Sequence, residues 1–235
     1  MKYDNIVKGT FIHRENRFIA YCEINGKNEL VHVKNTGRLK ELLIPYATVY
    51  LQKNDKLNRK TKYDLISVIK KTNRGDILVN IDSQIANDVA YEWIKSCGMF
   101  SNDAEIIREY TVTHEGTKSR FDIFVKDEDR RAFIEVKGVT LENDGFASFP
   151  DAPTLRGIKH LNHLSLLKRE GYEAYVLFVI QMKGVYSFTP NRKTHLAFCE
   201  SLKNAEKCGV KILCYDCVVD IDSIGIDKPV KYFFS

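Results

Sequence analysis

The spacing of apolar residues changes near residues 82–84, and this change constrains the fold more than any other feature of the sequence. Before it, short runs rich in β-branched and aromatic residues alternate with polar turns. After it, Ile85, Val89 and Trp93 recur at helical spacing, and helical and extended patterns then alternate along the chain. The sequence therefore predicts two domains, residues 1–82 and residues 83–235.

The first domain has the pattern of a small all-β barrel. Asn25-Gly26 separates two β-rich runs, and this dipeptide favours a type I′ hairpin because both central residues need positive φ. Short strands at this density are typical of an OB-fold, and an SH3-like barrel fits the pattern nearly as well. The predicted strands are residues 5–13, 18–24, 29–33, 47–53, 63–70 and 76–81.

The second domain reads as an α/β mixed sheet flanked by helices on both faces. Its predicted strands are residues 105–113, 119–125, 132–140, 174–181 and 210–215. Three helices are predicted: one over residues 85–97, one that starts near Leu155 and ends at Gly171, and one over about residues 194–208. The second of these helices carries one apolar side, formed by Leu155, Ile158, Leu161, Leu164 and Leu167.

Charge and composition narrow the cellular setting. The net charge is +5, but residues 1–82 alone hold 16 basic and 9 acidic residues, which fits either a polyanionic partner or a solvated basic face. No apolar run approaches the roughly 18 residues of a membrane span, and the first residues lack an apolar leader. The 6 cysteines are interpreted as reduced thiols, so we expect a cytoplasmic protein that does not contact a membrane. The sequence is compatible with either a monomer or a homo-oligomer.

Two neighbouring strands on either side of the polar loop 126–131 carry the candidate chemistry. If that loop is symmetric, the strands pair as an antiparallel hairpin with Asp122 opposite Glu135. Alternation puts Lys137 on the same face as Glu135.

Alternation also predicts two faces for the first of these strands. Arg120 and Asp122 share the face of the carboxylates, and Phe121 and Ile123 share the opposite face. Arg120 then lies beside the carboxylates, where it can contact a phosphate.

Facing carboxylates repel each other, so this hairpin favours a bound cation. Mg²⁺ (or Mn²⁺) suits it, since Mg²⁺ takes one or two protein carboxylates and completes its shell with water and phosphate. Lys137 beside the metal could orient or deprotonate a water, or neutralise developing charge on a phosphodiester. A surface hairpin stabilised by cross-strand ion pairs is an alternative that fits the pattern equally well.

At these residues the sequence resembles the sugar fermentation stimulation protein family over nearly its whole length. The resemblance rests on Asn35-Thr36-Gly37-Arg38, Ser119-Arg120-Phe121-Asp122, Glu135-Val136-Lys137-Gly138-Val139-Thr140-Leu141, Phe149-Pro150-Asp151-Ala152 and Arg156-Gly157-Ile158-Lys159-His160-Leu161. It implies an N-terminal OB-fold and a C-terminal nuclease-like domain of the PD-(D/E)xK class, with DNA as the expected partner.

The resemblance also implies roles for individual residues. Asp122 and Glu135 would bind Mg²⁺ with the Val136 carbonyl, and Lys137 would be catalytic. A further acidic ligand often comes from a preceding helix or strand in that class; Glu92 is preferred here over Glu109.

Further residues are candidates for contact with nucleic acid. The barrel contributes two loops, and the second predicted helix contributes a polar side that also includes His163. The candidates are Asn35, Thr36, Arg38, Arg59, Lys60, Lys62, Arg120, Arg156, Lys159 and His160. A solvated amphipathic face is the plainer explanation of the helical group.

The sequence is compatible with three functions. The first is a DNA-binding protein with a Mg²⁺-dependent nuclease site. The second is a DNA-binding regulator of sugar metabolism genes that does not cut. The third, a metabolite-binding protein, leaves the basic barrel without a role.

Overall fold

The computed structural model describes residues 1–54, 59–114 and 116–234. Ser235, the last residue of the predicted second domain, lies outside the described residues. Six strands form the N-terminal sheet: β1 (Ile6–Arg14), β2 (Ile19–Ile24), β3 (Lys27–Val33), β4 (Thr48–Lys53), β5 (Tyr63–Thr72) and β6 (Gly75–Asn80).

This sheet closes into the five-stranded OB barrel. The strand order is β3-β2-β1-β4-β5, and parallel pairing between β3 and β5 joins the two ends. Strand β6 extends the sheet beyond β5. The Asn25-Gly26 turn has positive φ at both residues, as the hairpin between β2 and β3 requires.

The C-terminal domain continues with helices and further strands. These are α1 (Ile85–Ser96), β7 (Glu105–His114), β8 (Thr117–Asp127), β9 (Arg130–Val139), β10 (Leu141–Asn143), β11 (Phe146–Phe149), α2 (Leu155–Arg169), β12 (Glu173–Ile180), β13 (Ser187–Pro190), α3 (Arg192–Lys207), β14 (Lys211–Val219), β15 (Ile224–Pro229) and β16 (Lys231–Tyr232).

Its main sheet is mixed and has the order β15-β14-β12-β9-β8-β7. Strands β9, β12 and β14 run parallel, whereas β7, β8 and β9 form an antiparallel meander. Helix α1 packs on one face of the sheet, and α2 packs on the other with α3 beside it. Strand β12 is buried along nearly its whole length because helices cover both of its faces. The predicted α/β mixed sheet is confirmed.

A second, four-stranded sheet was absent from the sequence prediction. It has the order β10-β11-β13-β16 and consists of strands of two to four residues. Such short segments carry too few residues to show alternation.

Leu155, predicted on the apolar side of α2, is 79% exposed, whereas Leu161, Leu164 and Leu167 are buried. Leu155 is the first residue of the helix, directly after the N-cap Thr154, and the residues that α2 buries begin only at Gly157.

Buried polar contacts join the two domains. Glu142, which is fully buried, accepts hydrogen bonds from Lys70 (2.6 Å) and Arg74 (3.1 Å) of the barrel. Gln181 donates from Nε2 to the carbonyl oxygens of Asn80 (3.1 Å) and Asp82 (2.9 Å). The apolar core of the barrel is also continuous with the core beneath α2. These contacts fix where the barrel lies relative to the main sheet.

None of the helices in the described ranges is both long enough and apolar enough to cross a membrane.

Candidate active site

The hairpin of β8 and β9 has the predicted register. Ile123 pairs with Ile134 and Phe124 with Phe133, as a symmetric loop requires. The backbone pairing ends at Ile123, and at the next position the Asp122 side chain takes over: its Oδ2 accepts the Val136 N–H at 2.8 Å. Asp122 thus stays beside β9 through its side chain.

The predicted alternation of β8 is wrong at this point. Phe121 packs under α2, where its ring contacts the ring of His160, whereas Ile123 packs with the residues of α1 on the other face of the sheet. The two residues therefore do not share a face. The strand changes face at Asp122, and the paired strand β7 has a positive φ of 55° at Glu109, the position opposite. A break of this kind re-aims a side chain, here the carboxylate of Asp122.

Helix α1 supports the other oxygen of Asp122. Asn87 donates from Nδ2 to Oδ1 at 2.9 Å. Burial, and next the nearby negative charge of Glu135, raise the pKa of Asp122 above its usual value. The carboxylate is held firmly, in surroundings where a cation would stabilise its charge.

Glu135 is the most enclosed acid of the site, with 3% of its surface exposed. Its Oε1 accepts hydrogen bonds from Lys137 and from Nδ1 of His160, the latter at 2.5 Å. Its Oε2 is buried and has no hydrogen-bond partner among the described residues. Such an oxygen costs free energy unless a ligand satisfies it.

The charge state of Glu135 follows from its partners. Burial alone would raise its pKa, but Lys137 and then His160 outweigh burial, so the pKa lies below its ordinary value. Glu135 is therefore an anion with one satisfied oxygen and one unsatisfied oxygen.

Strand β9 brings the remaining candidates to the same place. Glu135 and Lys137 lie on one face, as predicted, and Val136 lies on the other with the α1 cluster. The N–H and C=O of a strand residue point to the same side, so the Val136 carbonyl is directed towards β8, as its N–H is. Asp122, Glu135, Lys137 and the Val136 backbone therefore form one cluster.

The prediction of Glu92 as a metal ligand is wrong. Glu92 is exposed and accepts a hydrogen bond from the N-terminal ammonium of Met1 at 2.9 Å. The helix residue that reaches the site is Asn87, five positions earlier and therefore on another side of α1. The alternative Glu109 lies in the strand break and pairs with Arg120 at 3.5 Å.

His160 was predicted to contact nucleic acid from a polar side of α2, and this is also wrong. His160 and His163 are buried against the sheet, where His160 contacts Glu135 and His163 lies 2.8 Å from the Ser119 hydroxyl. Arg156 and Lys159 are exposed, as expected of phosphate-binding candidates. The sheet below α2 carries polar groups, so histidines are buried where an apolar helix face would otherwise be expected.

The candidates in the barrel separate into free and engaged side chains. Thr36, Arg38, Lys60 and Lys62 are exposed. Arg59 is half-buried and forms an ion pair with Asp64. Asn35 shapes its loop: its Oδ1 accepts the Gly37 N–H at 2.7 Å, and its Nδ2 donates to the Ile81 carbonyl.

A basic depression that the sequence did not reveal lies beside this loop. It has a volume of about 290 Å³ and is lined by Arg14, Arg17, Arg38 and Lys40, among others. The Arg14 guanidinium donates to the carbonyls of Asn35 and Gly37, at 2.7 and 2.8 Å, and so holds the loop in place.

The residues of the carboxylate cluster fit a hard divalent cation. The described part of the chain holds no group of three or more His, Cys, Asp or Glu side chains placed to bind a metal. Mg²⁺ does not need one, because one or two carboxylates suffice when water completes its shell. The unsatisfied Oε2 of Glu135, the Asp122 carboxylate and the Val136 carbonyl are all oxygen donors, which is the chemistry that Mg²⁺ and Mn²⁺ prefer.

Comparison with known proteins identifies both halves of the chain. The family model described as the SfsA N-terminal OB domain matches residues 12–81, and the model described as the sugar fermentation stimulation protein RE domain matches residues 84–223. The fold and site thus define a two-domain protein with an OB barrel and an α/β domain that carries a carboxylate–lysine cluster. The chain belongs to the sugar fermentation stimulation protein family.

Relatives match along nearly the full length. The sugar fermentation stimulation protein homolog of Clostridium beijerinckii is 55% identical over 96% of this chain and 96% of its own. That of Desulfitobacterium hafniense is 56% identical over 95% and 94% of the two chains. The solved structure of Pyrococcus furiosus SfsA in complex with Ca²⁺ superposes with a TM-score of 0.84, at 26% identity over 99% of this chain and 98% of that one.

Proposed function

We propose that this protein is a divalent-metal-dependent nuclease that binds nucleic acid, most favourably DNA, through its basic barrel. One observation carries the proposal: Glu135 is a buried anion with an unsatisfied Oε2, beside Asp122 and Lys137. An ion-pair hairpin on the surface would have no reason to bury that oxygen without a partner.

Asp122, Glu135 and the Val136 carbonyl would hold Mg²⁺ or Mn²⁺. The Pyrococcus furiosus relative was solved in complex with Ca²⁺, also a hard cation that prefers oxygen ligands, which supports such a site in this family. When bound, the metal would supply a Lewis acid for a phosphoryl oxygen and lower the pKa of a coordinated water.

The residues around the metal site would position the carboxylates and stabilise the charge that develops on the phosphodiester. Asn87 and the Val136 N–H hold the Asp122 carboxylate, and His160 holds Oε1 of Glu135. Lys137 is largely buried, so its ammonium would interact strongly with the negative charge that develops on a phosphodiester under attack. It would also hydrogen-bond the attacking water.

The barrel would bind the strand through its phosphates. Arg17, Arg38 and Lys40 line the depression and offer exposed positive charge beside the loop that faces the second domain. Arg156 and Lys159 add exposed positive charge on α2. Each phosphate neutralised should add nearly one unit to the slope of log affinity against log salt.

The test is a cleavage assay with end-labelled single- and double-stranded DNA and RNA, in Mg²⁺, Mn²⁺ or EDTA. Wild type is compared with Lys137→Ala and with Lys211→Ala, a lysine at the start of β14. Products that require metal, vanish in Lys137→Ala and persist in Lys211→Ala support the proposal. Salt-dependent binding without products would replace it with a regulator that binds DNA and does not cut.

A further inference from the structure

The two domains enclose a cleft of about 160 Å³ that the carboxylate cluster does not use. The barrel contributes Asn35, Thr36 and Gly37, and the second domain contributes Ser148 and Asp151, among others. Gly138, which immediately follows Lys137, also lines it, so the cleft begins one residue from the proposed catalytic lysine.

Gln181 gives the cleft a fixed hydrogen-bond acceptor. Its side chain is 99% buried, and its Nε2 donates to the carbonyls of Asn80 and Asp82 and to Oδ1 of Asn80. These acceptors fix which end of the amide is oxygen. The oxygen Oε1 lies over Gly138, where an added Cβ would come within 2.4 Å of it. No hydrogen bond to Oε1 occurs among the described residues, and the oxygen is not sealed from the cleft.

Asp151 gives the cleft a second acceptor, and this one is charged. Its Oδ2 accepts the backbone N–H of Arg38 at 3.0 Å across the domain boundary. Its Oδ1 has no hydrogen bond in the described part of the chain. A carboxylate in so small a space repels phosphate, so the cleft suits a neutral group that donates hydrogen bonds.

On the basis of the proposed function, we infer that this cleft is a subsite for one unpaired base of the bound strand, recognised through its exocyclic amino group by Asp151 and Gln181. Cytosine, adenine and guanine carry such an amino group, and uracil and thymine present a carbonyl there. The volume is below the roughly 300 Å³ of ordinary ligand pockets, so it admits a base rather than a whole nucleotide. A base stacked inside a duplex could not enter, so the base at this position would be unpaired, either in a single strand or flipped out of a duplex.

Asp151→Asn provides a sharp test of the contact. The asparagine Oδ1 can still accept the Arg38 N–H, which turns the Nδ2 donor towards the cleft. A donor there favours the uracil carbonyl over the cytosine amine, so the variant should lose the preference and keep its phosphate contacts.

The experiment measures the dissociation constants of labelled dC20 and dU20, which differ in the exocyclic group and its ring neighbour. All proteins carry Lys137→Ala to prevent cleavage. We expect dC20 to bind about tenfold more tightly than dU20, the discrimination that one good base contact supplies. The ratio should fall to about one or below with Asp151→Asn. It should stay unchanged with Asp129→Asn, which removes the same charge from an exposed turn.

A second variant keeps the subsite testable if Asp151→Asn does not fold. Thr36→Trp places a large ring at the exposed rim of the cleft and should also abolish the preference. Binding with a dC20 to dU20 ratio near one in the Lys137→Ala protein would overturn the subsite and leave the proposed function standing. Absence of binding to either strand would also overturn the subsite, and the cleavage assay on duplex DNA and RNA would then decide the proposed function.

Discussion

Glu142 is the polar centre of the contact between the domains, and its replacement by glutamine tests how they are held together. The side chain is fully buried and accepts hydrogen bonds from Lys70 (2.6 Å), Arg74 (3.1 Å) and the Gly145 N–H (2.5 Å). Glu142→Gln keeps the shape, removes the negative charge and leaves two cations facing a neutral amide.

The expected cost follows from these contacts. Hydrogen bonds to a charged group contribute about 1.5–3 kcal/mol each, and breaking a buried ion pair costs about 3–5 kcal/mol. The side chains of Lys70 and Arg74 are 13% and 29% exposed, so water recovers part of this loss. We therefore expect Glu142→Gln to lower the free energy of unfolding by about 3 kcal/mol, near the lower end of the range for a broken buried pair.

Urea denaturation at pH 7, followed by intrinsic fluorescence and by circular dichroism, measures this loss. Glu200→Gln on α3 is the matched control, because Glu200 is exposed, and it should change the free energy by less than about 0.5 kcal/mol. A loss below about 1 kcal/mol for Glu142→Gln would refute the interpretation that Glu142, with Lys70 and Arg74, forms the main polar contact between the domains.

The pH dependence adds an independent check. Burial would raise the pKa of Glu142, but Lys70, the Gly145 N–H and Arg74 outweigh it and hold the pKa below the ordinary value. A carboxyl with a depressed pKa stabilises the fold above its unfolded pKa of about 4.3 and loses that contribution as pH falls through the lower folded value. The difference between wild type and Glu142→Gln should be full at pH 7 and shrink below about pH 4.

Three further substitutions test the region around the site. Gly138→Ala should destabilise the protein by about 1–3 kcal/mol in thermal unfolding, because the new Cβ would lie 2.4 Å from Gln181 Oε1; an unchanged melting temperature would contradict this packing. His160→Gln should weaken Mn²⁺ binding about 10–100-fold in calorimetry, since it orients Glu135; equal affinity would exclude a positioning role. Glu92→Gln should leave metal-dependent cleavage unchanged, and a loss of cleavage would reinstate it as a ligand.

Sequence patterns predicted the pairing of the hairpin but not its local geometry. A polar loop between two apolar strands has one symmetric register, and Ile123 does pair with Ile134. The change of face at Asp122 depends on a side chain that accepts the Val136 N–H, an interaction across strands that alternation cannot show. The sequence therefore identified Asp122 and Glu135 as neighbouring acids, but it did not predict that the Asp122 side chain binds the backbone of β9.

Helix faces were harder to assign because α1 and α2 both pack against polar groups of the site. His160 looked polar by residue type, yet the surface beneath α2 presents Glu135, so a buried histidine is satisfied there. Glu92 carried the expected charge, but the turn of α1 that meets Asp122 holds Asn87. Both errors arise because a sequence gives the residues of a helix but not the polar groups of the surface that it packs against.

The cleft between the domains depends on tertiary structure entirely. Asp151 and Gln181 lie far from Thr36 in the sequence and meet it only because the barrel is fixed against the second domain. No periodicity relates them, although Asp151 and Thr36 both belong to the segments that carried the family resemblance.

Calorimetric titration with Mn²⁺ shows directly whether Asp122 and Glu135 together hold a divalent metal. Wild type and Glu92→Gln should bind one equivalent with the same affinity. Asp122→Asn and Glu135→Gln, each shown to be folded by circular dichroism, should lose binding by at least about tenfold, because each removes a charged oxygen ligand. Equal Mn²⁺ affinity in all four proteins would exclude a metal site formed by Asp122 and Glu135.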